Sequence, residues 1–156
     1  MVPARRIAAA GLTVGLADTL FAFVLQMVYA GTFAPARIFQ GIASGVLGDR
    51  AAEMGATSTA LGVALHFSFA FVWVLVYALA YSRSAQLRRL AGRLATAIPL
   101  AFVVGAAVWF GMNFIAKPIG GIAPTTIATQ FFLVMTLGHG VVVGLPIVLL
   151  VRGQSR

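Results

Sequence analysis

Four long apolar runs dominate the chain, approximately Ile7 to Ala30, Thr57 to Tyr81, Leu94 to Ala116 and Thr125 to Val151, and almost all the charge lies between them. Each run is long enough to cross a hydrocarbon core of about 30 Å, which takes roughly 20 helical residues. Lipid offers no hydrogen bonds to the backbone, so each run must satisfy its own peptide groups as a helix. Barrel strands would be shorter and would alternate apolar with polar residues, which these runs do not. The pattern predicts one domain, an all-α polytopic membrane protein built as a bundle of four transmembrane helices.

Between the first two runs, after Pro35, the residues Ile38, Phe39, Ile42, Val46 and Leu47 recur at helical spacing, with Arg37, Gln40, Ser44 and Gly48 between them. This predicts a short amphipathic helix in the first outer loop, lying in the interface as a cap or folding back as a lid over a site. The segment from Lys117 to Pro124, rich in Pro and Gly, reads as a compact turn. Small residues spaced four apart, Gly11 with Gly15 and Gly140 with Gly144, allow close backbone approach, within this bundle or to another subunit. Pro146 predicts a bend in the last helix, whereas Pro99 belongs to the first turns of the third.

Composition agrees with this class: 61% of the residues are hydrophobic and 9% charged, against roughly 45–50% and 25% in soluble domains. The net charge of +8 does not point to nucleic acid, because the basic residues occupy short segments between apolar runs, as topology signals do. Arg5, Arg6, Arg83, Arg88, Arg89, Arg93, Arg152 and Arg156 fall on one side of the predicted membrane, and Arg37, Arg50 and Lys117 on the other with Asp49 and Glu53. The positive-inside bias then places both termini and the loop from Arg83 to Arg93 in the cytoplasm. Arg5 and Arg6 before an apolar stretch resemble a signal peptide, but Asp18 within it and the lack of a clear cleavage site read as a retained first span. The absence of cysteine excludes disulfides, thiolate chemistry and thiolate metal sites.

Asp18 is the only acidic residue inside a run. It lies about eleven residues from the cytoplasmic end, roughly 17 Å deep at about 1.5 Å per residue. An ionised carboxylate at that depth is costly unless it is protonated or faces a polar partner or water. Gly11, Ala22, Leu25 and Tyr29 share its face, with Gln26 at the edge. His66, roughly 13 Å below the outer boundary, falls at nearly the same height, which allows an Asp18–His66 hydrogen bond. It heads a stripe with Phe69, Trp73 and Tyr77 that reads as helix packing before it reads as a ligand lining. His139, between Gly138 and Gly140, lies roughly 20 Å from the outer side, on the same broad side as Thr125, Phe132 and Thr136. Asn113 reads as an outer mouth or capping residue. Asp18, His66 and His139 form the candidate site, with Gln26, Tyr29, Tyr77, Asn113 and Thr136 as secondary candidates.

The run from His66 to Phe71 with Tyr77 beyond it, the stretch from Gly105 to Pro124, and Leu137 to His139 resemble the YagU-like proteins, small bacterial inner-membrane proteins. The resemblance covers the second to fourth runs and implies a cytoplasmic-membrane location and a link to acid tolerance. Three functions compete. Proton-linked transport or permeation would use Asp18, His66 and His139 as a relay, since histidine ordinarily titrates near neutrality. Electron transfer would use haem, with His66 and His139 as axial ligands. A non-catalytic accessory subunit would pack into a larger membrane complex through its glycine faces and outer helix, and a homo-oligomer is a further arrangement. No nucleophile stands at motif spacing from a base, so hydrolase or transferase chemistry is not indicated.

Overall fold

The computed structural model describes residues 1–124 and 130–152 of the chain. Helix α1 spans Ala4–Ala30 and stops at Gly31, whose φ of 63° is cheap only for glycine and whose N–H reaches Met27 O. A short connection leads to α2, Pro35–Leu47, which begins on a proline whose missing N–H costs nothing at a helix start. A 3₁₀ turn, Gly48–Ala52, leads into α3, Ala56–Arg83. Ser84 then caps α4, Ala85–Gly92, its hydroxyl accepting from Leu87 N at 3.2 Å. The basic segment between the second and third runs is therefore mostly helical rather than a loop. Helices α5, Leu94–Ile119, and α6, Gln130–Arg152, complete the described fold.

Helices α1, α3, α5 and α6 are long and apolar enough to cross a membrane. Their boundaries exceed the expected ones by up to three residues, except at the start of the last run, where Thr125 lies outside the described residues. Lys117–Ile119 closes α5, and the turn follows at Gly120 and Gly121. There Ile122 N bonds Lys117 O at 2.8 Å and Gly121 N bonds Pro118 O at 3.0 Å, a left-handed helix cap with φ of 73° at Gly121.

The helices pack through small residues. Ala10, Val14, Ala70, Val74, Ala97, Ala101, Val143 and Val148 lie in the core, while Leu12, Leu16, Leu20, Val24 and Val28 of α1 and Val72, Leu75, Val76 and Leu79 of α3 face outwards. Larger apolar side chains outside and smaller ones inside suit a lipid solvent, where association gains from close packing rather than from escape from water. All four glycines expected at helix contacts meet neighbours within this chain: Gly11 and Gly15 face the Phe71 and Phe67 rings, Gly140 faces Phe102, and Gly144 faces the Ala101 backbone. Two further close approaches involve Gly62, which lies against the Phe39 backbone of α2, and Gly105, which lies against the His139–Gly140 peptide.

Helix α2 folds back onto the bundle. Phe39 and Ala43 are buried, the Phe39 ring lies edge-on to Phe23 of α1 and to His66 of α3, and Gly45 touches Gly120 beyond α5. Gln26, a secondary site candidate, instead pins this turn: its amide donates to Ala34 O at 3.1 Å and accepts from Ala34 N at 2.9 Å.

Candidate functional site

A cavity of about 80 Å³ lies between the four long helices and α2, and Asp18, His66 and His139 all line it. The rest of the wall comes from Val14, Ile42, Phe69, Ala70, Trp73, Val108, Met112 and Val143. The volume suits a few water molecules. Phe69 and Trp73 thus serve both packing and lining, because a residue three or four positions from His66 on a helix shares its face.

The nearest ionisable partner of Asp18 is His139, not His66: Asp18 Oδ1 stands 3.7 Å from His139 Nε2. That exceeds a direct hydrogen bond of about 2.7–3.2 Å. His139 Nδ1 lies 2.7 Å from Met135 O one turn earlier, and since a carbonyl only accepts, Nδ1 carries a proton. In the neutral ring the Nε2 lone pair therefore faces the carboxyl group. His139 is buried, Trp109 lies against its ring with centroids 5.1 Å apart, and Phe21 meets it edge-on at 6.2 Å.

His66 has the opposite arrangement. Its Nε2 lies 3.0 Å from Gly15 O and 3.1 Å from Thr19 Oγ1, so Nε2 carries the proton and donates to α1. The Asp18–His66 bond that matching depth allows is absent among the described residues. Thr19 takes that place: it follows Asp18 in sequence, and successive helical residues differ by about 100° around the axis, so it points to α3 while Asp18 points to α6. Adjacent polar residues within an apolar span were the available signal for Thr19.

None of the secondary candidates lines the cavity. Tyr29 is exposed beside Phe131, and Thr136 donates to Phe132 O in its own helix at 2.8 Å. Tyr77 is buried towards the end of α3 beside Tyr81. Asn113, read as an outer mouth or capping residue, is fully buried and accepts from Lys117 Nζ at 3.2 Å. Lys117 Nζ also lies 5.4 Å from the centre of the Trp109 ring, within cation–π range. A run of polarisable groups thus leads from Asp18 through His139 and Trp109 to Lys117. Trp73, which lines the cavity, has a buried Nε1 donor with no acceptor among the described residues.

The site does not fit a haem. The cavity is far too small for the macrocycle, and His66 Nε2 is already engaged by α1. Among the described residues, no three His, Asp or Glu side chains gather closely enough to hold a metal ion. Comparison of the chain with protein-family models, characterised proteins and solved structures returns no match.

Proposed function

We propose that this multipass membrane protein handles protons at the Asp18–His139 pair, in proton-linked transport or permeation, with its arginine-rich end in the cytoplasm of a bacterial inner membrane. The observation that carries the reading is the His139 Nε2 lone pair facing the Asp18 carboxyl at 3.7 Å across the wall of a water-sized cavity. A lone pair and a carboxylate repel, and a proton held between them would sit on Asp18, as a neutral acid beside a neutral base, or on His139, as an ion pair. Either form is neutral overall, which suits a low-dielectric surrounding. The gap calls for a bridging water or a small rotation to pass the proton, and the cavity has room for both. His66, already donating to α1, keeps its Nδ1 as the second acceptor. The acid-tolerance link implied by the YagU-like resemblance is in keeping with this chemistry.

The glycine pairs and the outer helix named for the accessory-subunit reading make contacts inside the chain. Purified protein in liposomes under an imposed pH gradient tests the proton reading. Wild type should carry a proton or proton-coupled solute flux that Asp18→Asn reduces at least tenfold; equal flux from both proteins refutes it.

A further inference from the structure

The arginine-rich end of the bundle has a second cavity, unconnected with the buried pair. It is a cleft of about 320 Å³ lined by Met1, Val2, Pro3, Arg6, Tyr81, Ser82, Arg88 and Val151, where the start of α1, the end of α3, the start of α4 and the end of α6 meet. Its volume falls in the range of about 300–1,000 Å³ typical of small-ligand sites. Two arginines line it from separate elements. Arg88 Nη1 donates to Tyr81 O at 3.0 Å and Ser82 O at 2.8 Å, which fixes the side chain against the end of α3 and leaves its other N–H groups for a ligand. The Arg6 guanidinium makes no hydrogen bond among the described residues, and the Ser82 hydroxyl is already used within its own helix.

No carboxylate side chain neutralises this charge. The protein has three acidic residues. Asp18 faces the central cavity, and Asp49 and Glu53 lie in the connection between α2 and α3 at the opposite end. The two arginines thus converge on a cleft at the end of helices long enough to span a bilayer, the level at which lipid phosphates lie, and Val2, Pro3 and Val151 give the cleft an apolar side towards the core.

We propose that this cleft binds a phosphate-bearing anion through Arg6 and Arg88, the anionic headgroup of a membrane phospholipid being its occupant. A guanidinium presents paired N–H donors that match two phosphate oxygens, and basic pockets between membrane helices hold anionic headgroups in this way. The inference rests on the chain spanning a membrane but not on the proton chemistry of Asp18.

Native mass spectrometry of detergent-purified protein with added phosphatidylglycerol or phosphatidylcholine tests it. Wild type should retain phosphatidylglycerol at least tenfold more than phosphatidylcholine. Arg6→Gln and Arg88→Gln should each remove most of that preference, while Arg37→Gln and Arg50→Gln at the other end keep it. Arg6→Gln is the decisive variant, because it leaves the Arg88 contacts to α3 intact. Equal retention of the two lipids, or equal retention by all four variants, overturns the proposal. Inorganic phosphate in a parallel titration separates the sources: displacement of the lipid at millimolar phosphate supports the arginine site but overturns the lipid as its occupant, and persistence of the lipid supports both. Asp18→Asn should bind phosphatidylglycerol as wild type does, so the proton reading and this one fail separately.

Discussion

Gly105 carries no side chain where α5 meets the peptide between His139 and Gly140, and a Cβ built there would collide with backbone atoms that cannot rotate away. Gly140 and Gly138 leave matching room for the Phe102 and Phe21 rings on either side of the same histidine. The position of His139 is thus set by what its neighbours lack. Overpacking usually costs about 1–3 kcal/mol, and an obstacle made of backbone puts Gly105→Val at the upper end or beyond. We expect this variant to melt well below wild type in detergent, or not to assemble, whereas Gly92→Ala, with nothing near its missing side chain, should melt within a degree or two. Equal melting of Gly105→Val and wild type would show that α5 and α6 are farther apart than described. The same scale explains why Asp18 met His139 rather than His66. Depth along each span is legible from residue counting, but the direction a side chain takes around the helix axis relative to a particular neighbour is not.

At the scale of elements, the π turns show how local chemistry shapes the site. Each begins six residues before a proline, Met112 before Pro118 and Gly140 before Pro146. A proline has no N–H for the carbonyl four residues back and its ring presses on that group, so the helix widens there by one residue. Pro99 causes no such turn because it sits within the first two turns of α5. Asn113 lies inside the first widened turn and His139 immediately before the second, a placement common for functional side chains. One residue of register turns a helix by about 100°. Pro146→Ala restores the N–H, and we expect it to tighten the second turn and swing His139 relative to Asp18 and Trp109. In a Trp73→Phe background, which leaves Trp109 as the single tryptophan of the two, quenching of Trp109 by the adjacent His139 ring, read against His139→Phe, should weaken in Pro146→Ala while helical circular dichroism is kept. Unchanged quenching would mean that the proline does not set the turn. Pro146 was readable as a bend from sequence, but the widened turn was not, because a clash can be relieved by kinking, unwinding or widening.

For the whole molecule, charge and helix direction combine. The start of α1 and the ends of α3 and α6 meet at one end with most of the arginines, while Arg37, Asp49, Arg50 and Glu53 lie towards the other. The positive-inside bias then predicts that α4 faces the cytoplasm. Because the chain has no cysteine, single replacements report cleanly. On intact cells a membrane-impermeant maleimide should label Asp49→Cys and spare Gln86→Cys, both at exposed positions. The reverse pattern would invert the orientation and place the Arg6–Arg88 cleft in the outer leaflet.

By itself the sequence determined that four segments are helical and apolar enough to span, which end is basic, and that one carboxyl and two imidazole groups lie deep in those segments. These follow from solvation, since apolar length, loop charge and depth are properties of one segment and its solvent. Only the tertiary structure decided that α2 folds back to put Ile42 on the cavity, that Thr19 engages His66, that Asp18 faces His139, and that Arg6 and Arg88 share a cleft. Those depend on how far and at what angle two helices approach, which here follows from glycines and prolines whose effect is exerted on a neighbour rather than on their own segment.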